Sequence, residues 1–224
     1  MNKHTAIFAY ASLVLVMLLW AGNSIVGRAI RDDVAPFTLA FVRWLGAFLL
    51  LAPFAVKHVV KDWALLLRHA GIILLLGVLG VGAFNALLYT GLHYTTATNG
   101  LLLQAAIPPL VLVFNALFFG ERSRLEQIAG VTLAAFGVVL IVVRADLDVL
   151  LHFTFGFGDL LILCAVVLWA LYTSLLRLRP EIHPLTFLAV SFFIGLACMA
   201  PLAGFEWMQG RSPSLTAPVL ASFA

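Results

Sequence analysis

The sequence predicts an all-α integral membrane protein, a polytopic helical bundle, and three observations carry that prediction. Hydrophobic residues make up 63% of the 224-residue chain and charged residues 10%, against roughly half and a quarter in soluble domains. Mean hydropathy is +1.11, so there is too little charge to cover a water-facing surface and lipid must be the main solvent. The apolar runs are apolar all round and do not alternate in ten-residue segments, which selects helices over a β-barrel because a helix satisfies its backbone within one segment. The same composition excludes disorder and nucleic-acid binding through a broad basic patch. The net charge of +3 is a statement about topology, read below from where the positive residues sit.

Lys3 precedes an uncharged run over 5–27. That run is longer than a signal-peptide core and long enough to cross about 30 Å of hydrocarbon, so it is an uncleaved first helix. A second span covers 34–56. Residues 71–120 contain no Asp, Glu, Lys or Arg. As one straight helix they would measure about 75 Å, so they must cross twice. The natural turn is 91–96, GLHYTT, where a glycine, a histidine and an interfacial tyrosine interrupt the run. Further spans follow at 127–143, 158–176 and 184–205, which makes seven helices, and 215–224 reads as the opening of an eighth. With the N-terminus in the cytoplasm, Lys3, Lys57, Lys61, Arg68, Arg122, Arg124, Arg177 and Arg179 face inward. Only Arg28, Arg31, Arg144 and Arg211 then face outward, so the positive-inside rule favours this orientation. Cys164 and Cys198 lie inside apolar runs and are read as small buried hydrophobes.

WAGNSIVGR at Trp20 to Arg28 is echoed by WALYTSLLR at Trp169 to Arg177. After a one-residue gap, Pro36-Phe37-Thr38-Leu39 aligns with Pro184-Leu185-Thr186-Phe187, and Pro53 with Pro201. The first unit holds five helices, an odd number, so its second copy starts from the opposite side of the membrane. That is an inverted 5+5 repeat of which about seven helices are present, the architecture of secondary transporters that rock around a midplane site. The expected division is 1–143 for the first repeat and 144–224 for an incomplete second one, two helices and the start of a third. By the repeat, the sequence stops near the counterpart of Leu76.

WAGNSIVGRAI, FVRWLGAFLLLAPF and ALLYTGLHYTTATNGLLLQAAIPPLVLVFNALFFGERSRLEQIAGVTLAAFGVVLIV together resemble the EamA-type branch of the drug/metabolite transporter superfamily. The specific part is the Tyr-Thr-Gly-Leu element before a short turn, a Pro-containing fourth helix ending in Gly-Glu-Arg, and a Gly-rich fifth helix. GDLLILCAVVLWALYTSLLR resembles the start of that family's second repeat. The resemblance implies ten helices with both termini cytoplasmic, a small-molecule solute and a bacterial inner (plasma) membrane location. It also implies export of a small organic metabolite, such as an amino acid or drug-like solute.

Arg43 is the only basic residue deep in a predicted span, and a charge there costs about 3 kcal/mol on insertion scales, so it must face the bundle or a cavity. It binds an anionic group of a solute, or else it serves helix carbonyls or snorkels outward. Its repeat counterpart is Ser191. Helical spacing places Trp20, Asn23, Ser24 and Gly27 on one face of the first helix, and Trp169, Tyr172 and Thr173 on the matching face of the sixth. Asn85 shares a face with Tyr89, and Gln104 with Pro108. All are candidates to line a central cavity, against interhelical hydrogen bonding and interfacial anchoring. Pro108 and Pro109 should kink the fourth helix. Glu121 and Arg122 are expected as a surface ion pair or cap, with gating as the weaker alternative. Asp159 is expected to cap the sixth helix, with a coupling carboxylate as the weaker alternative. Gly130, Ala134 and Gly137 have the spacing of a close helix contact, with a homodimer surface as the second option.

The sequence has no GxxxxGK[ST] loop, and Gly77, Gly80 and Gly82 make no dinucleotide fingerprint. The histidines show no HExxH or other ligand pair, so no metal or cofactor is expected. An intramembrane enzyme would need an acid, base or nucleophile set that the spans lack. The remaining rival is a truncated or half-size module that needs a partner chain to transport.

Overall fold

A computed structural model describes residues 3–29, 33–142 and 155–211. Among them every regular element is helical: α1 (Lys3–Ala29), α2 (Pro36–Arg68), α3 (Ala70–Gly77), a π-helical segment (Val78–Ala83), α4 (Phe84–Tyr94), α5 (Ala97–Gln104), α6 (Ile107–Phe119), α7 (Leu125–Val142), α8 (Phe157–Leu175) with a 3₁₀ turn (Leu176–Leu178), and α9 (Pro184–Met208). Five rods among the described residues are long and apolar enough to cross a membrane: Pro36–Arg68, Ala70–Tyr94, Thr98–Phe119, Phe157–Leu178 and Pro184–Met208. Ile7–Leu19 and Leu125–Ile141 are shorter apolar helices. The protein is a polytopic all-α membrane protein. Leu50, Leu117 and Ile141 are 77%, 70% and 78% exposed, a liability in water but the natural outer surface in lipid. The expected opening of an eighth helix at 215–224 lies outside the described residues.

Three boundaries differ from the sequence expectation. The second helix runs on to Arg68, about 50 Å at 1.5 Å per residue, well past the expected exit at Val56. Hydropathy ends a span at its first charge, Lys57, but the backbone meets no breaker until His69, which departs from helical geometry for a single residue before α3 begins. The turn expected at 91–96 narrows to Thr95 and Thr96, both extended, with Thr96 Oγ1 accepting from Asn99 N at 3.1 Å as an N-cap. Gly91 stays helical because its missing side chain lets α8 in: a Cβ there would lie 2.6 Å from Ile162 Cγ1 and 2.9 Å from Gly158 O. Finally, the fourth span is interrupted just before its prolines, at two residues that keep right-handed helical angles. α5 and α6 are separated at Ala105 and Ala106, and the prolines fall in the first turn of α6, where a missing N–H costs nothing.

The most extensive packing is between α2 and α9, followed by α4 against α8. α2 and α9 run antiparallel, and each helix start is held by a carboxylate from the far end of the other. Ala35, before α2, has no side chain that can cap; instead Glu206 on α9 accepts from Phe37 N at 3.0 Å and from Thr38 N and Oγ1 at 2.7 and 2.8 Å. At the other end Asp62 on α2 accepts from His183 N at 2.9 Å and from Thr186 Oγ1 at 2.8 Å. Unsatisfied N–H groups and the positive end of the helix dipole make each helix start a natural carboxylate site. The Asp62 end continues into the main buried cluster, Leu66, Ile73, Leu76, Ile182 and Phe187.

Candidate functional site

A cavity of about 370 Å³ lies between these helices, toward the small end of the roughly 300–1,000 Å³ of ligand pockets. α2 contributes Arg43, Trp44 and Ala47, the π segment Gly80 and Val81, and α4 Phe84, Asn85 and Tyr89. α8 contributes Trp169 and Tyr172, and α9 Phe187, Leu188, Ser191 and Phe192. Five of the sequence candidates, Arg43, Asn85, Tyr89, Trp169 and Tyr172, therefore meet around one space. Gln104 is not among the lining residues; its Nε2 donates to Gly100 O at 3.3 Å on its own helix. The side chains of Trp20 and Asn23 lie outside the described residues.

The aromatic wall depends on glycines. Phe84 packs on Trp169 with ring centroids 4.5 Å apart, and Trp169 on Tyr172 at 5.3 Å. Tyr172 reaches the π segment because Gly80 has no side chain: a Cβ would sit 2.7–2.9 Å from its ring. On the next face Gly195 admits Val81 and Gly77 admits Ile194. The glycines that make no dinucleotide motif are thus packing positions. Phe84 N bonds to Leu79 O, five residues back, which gives the π turn its width, and Asn85 Nδ2 donates to Val81 O at 2.7 Å. A π-bulge in a helix is often found at functional sites.

The lining residues not picked out as candidates from sequence include Trp44, Phe84, Phe192 and, as a lining group, Ser191. Trp44 packs on Phe192 at 4.9 Å. Continuing the Thr38/Thr186 alignment along both helices would have paired Trp44 with Phe192 just as it pairs Arg43 with Ser191. That was the available signal.

Other candidates lie elsewhere. Asp159 is buried, at 2% exposure, and accepts from Thr95 Oγ1, from Asn99 Nδ2 at 3.1 Å and from Gly156 N at 2.8 Å. It reaches back to the start of α8 as a capping-box residue does and ties that start to the Thr95–Thr96 turn. Glu121 is not paired with Arg122. It binds Arg177 Nη1 at 2.7 Å, across to the end of α8, and Arg177 also lies 4.4 Å from the centre of the Phe119 ring. The Arg177 hydrogen bond holds the Glu121 carboxyl below its ordinary pKa. Pro108 starts α6. Asn115, unnoticed in the sequence, accepts from Ser174 Oγ and joins α6 to α8. A Cβ at Gly130 or Gly137 would meet nothing within 4 Å, so the small-residue face of α7 meets no described neighbour there. Cys164, expected to be buried, is exposed. Among the described residues no His, Cys, Asp and Glu group could hold a metal ion.

Residues 7–143 match the EamA-like transporter family. The chain belongs to that family. Its relatives include proteins named transporters: an uncharacterized transporter of Archaeoglobus fulgidus is 35% identical over 93% of this chain and 72% of its own length. The uncharacterized transporter YetK of Bacillus subtilis is 28% identical over 88% of the chain and 60% of its own length. A protein of Streptantibioticus cattleyicolor named a probable terminal-alkyne amino-acid exporter is 28% identical over 94% of the chain and 68% of its own length. No solved structure matches the chain. This EamA-like protein is a multi-pass membrane protein of transporter kind.

Proposed function

We propose that the protein is a secondary transporter and not an enzyme, exporting a small organic solute by alternating access around the 370 Å³ cavity. The observation that carries this reading is the composition of the cavity wall. Positions aligned by the internal repeat, Arg43 with Ser191 and Trp44 with Phe192, line the same space and come from the two antiparallel helices α2 and α9. A binding site shared by two inverted repeats is the arrangement that lets one half rock against the other. In this reading 1–143 is the first repeat and 144–224 belongs to the second, the N-terminus is cytoplasmic, and the membrane is a bacterial inner membrane. The Arg43 guanidinium favours an anionic or zwitterionic solute, and the amino-acid exporter among the relatives supports outward transport of such a compound.

The test is solute flux in proteoliposomes, with amino acids and organic acids, for wild type, Ala47→Trp and Arg43→Leu. Ala47→Trp fills the cavity and abolishes saturable flux. Arg43→Leu lowers flux of anionic and zwitterionic solutes at least tenfold. Wild-type flux through the Ala47→Trp protein would rule out the cavity as the route.

A further inference from the structure

Ser191 is 5% exposed and lines the cavity, and its Oγ has no hydrogen-bond partner. A hydroxyl on a membrane helix ordinarily turns back to a carbonyl four residues earlier, as Thr90 does to Ala86 O at 2.7 Å and Thr173 to Trp169 O at 2.8 Å. Ser191 does not. A buried polar group left unpaired carries its full desolvation cost, so its persistence beside a cavity calls for a partner that the cavity itself receives.

The chemistry of that partner follows from the surrounding groups. Arg43 supplies only donors, and Ser191 has a hydroxyl free to donate. Among the described residues that line the cavity one is a fixed cation and none is a carboxylate. Phe84, Trp169 and Tyr172, packed on one another, give the cavity an aromatic wall. We propose that Ser191 and Arg43 receive the carboxylate of a monoanionic solute whose apolar body lies against that wall. The inference deepens the transporter reading and rests on the cavity being the solute site. It ranks solutes: a carboxylate with an uncharged body binds better than an amino acid, whose ammonium meets no lining carboxylate. An amine of the same shape binds worst.

Trp44 and Trp169 line the cavity, so binding to the purified full chain in detergent can be read from tryptophan fluorescence. The probes are phenylacetate, phenylalanine, phenethylamine and the neutral phenylacetamide, against wild type, Ser191→Ala, Ser191→Thr and Ala47→Trp. Phenylacetate is expected to bind tightest and phenethylamine weakest. Ser191→Ala weakens phenylacetate about tenfold while leaving phenethylamine unchanged, and Ser191→Thr restores phenylacetate binding to within about threefold. Melting temperatures of the Ser191 variants at or above wild type show that the loss is not one of folding. Equal phenylacetate affinity in wild type and Ser191→Ala overturns the role of Ser191. Phenylacetamide or phenylalanine binding as tightly as phenylacetate, or no probe binding at all, overturns the solute class. Those outcomes leave the transporter reading to the flux assay, which fails separately if Ala47→Trp transports like wild type.

Discussion

Glu206 and Thr38, distant in sequence, are joined by two hydrogen bonds to one carboxylate oxygen, from Thr38 N at 2.7 Å and from Thr38 Oγ1 at 2.8 Å. The start of α2 is thereby capped in trans, and Asp62 does the same for α9 through His183 N and Thr186 Oγ1. The antiparallel pair is thus tied by a carboxylate at each end.

Glu206→Ala is expected to cost about 1–3 kcal/mol, because buried N–H donors at the head of α2 lose their acceptor. A cycle with Thr38→Val should show a coupling energy of about 1 kcal/mol or more. Asp62→Asn, at the more exposed end, costs less. Denaturant melts of the detergent-solubilised variants decide it; additive effects of Glu206→Ala and Thr38→Val would remove the direct bond.

Gly158 faces backbone. A Cβ there would lie 2.8 Å from Gly91 O, Thr95 N and Tyr94 C, and backbone cannot step aside as a flexible side chain can. Gly158→Ala should therefore lower stability by about 1–3 kcal/mol, in the range of overpacking. Gly130→Ala, with nothing within 4 Å, should stay within about 0.5 kcal/mol of wild type. Equal melting of the two variants would contradict the close approach of α4 and α8.

The Glu121 carboxyl is held below its ordinary pKa by the Arg177 hydrogen bond. A carboxylate whose pKa is depressed in the folded state stabilises above its unfolded pKa, and that contribution fades as pH falls through the folded value. With side chains 38% and 50% exposed the effect is small. Wild type should melt slightly above Glu121→Gln at pH 7, and the gap should close below about pH 4. A gap that widens in acid would reverse the assignment.

Orientation is testable at the two carboxylate latches. With a cytoplasmic N-terminus, the Asp62 end faces inward and the Glu206 end outward. On a background lacking Cys164 and Cys198, Lys61→Cys should react with an impermeant thiol reagent only in inside-out vesicles. Gln209→Cys should react only in right-side-out ones. The opposite pattern would invert the topology.

Much of the architecture was legible in the sequence because lipid leaves the backbone no alternative: an uncharged run long enough to cross must be helical. Of the five candidate residues around the cavity, Arg43 followed from the cost of a charge in a span and the other four from helical spacing and the repeat. What escaped depends on the other side of each contact. Spacing cannot reveal that Gly80 and Gly91 are small to admit Tyr172 and the start of α8. Nor can it show that Glu121 seeks Arg177 and not its neighbour Arg122. Gln104 faced a plausible direction but the wrong neighbour.

The sequence by itself determined the solvent, the helical class, the approximate crossings and the presence of a guanidinium within the membrane, since each follows from the transfer cost of local groups. Tertiary structure alone decided where α2 ends, where the fourth span is interrupted, which carboxylate caps which helix and that Ser191 lines the same cavity as Arg43. Those choices are made by packing and by hydrogen bonds between distant segments, whose partners are set by three-dimensional proximity and not by any local pattern.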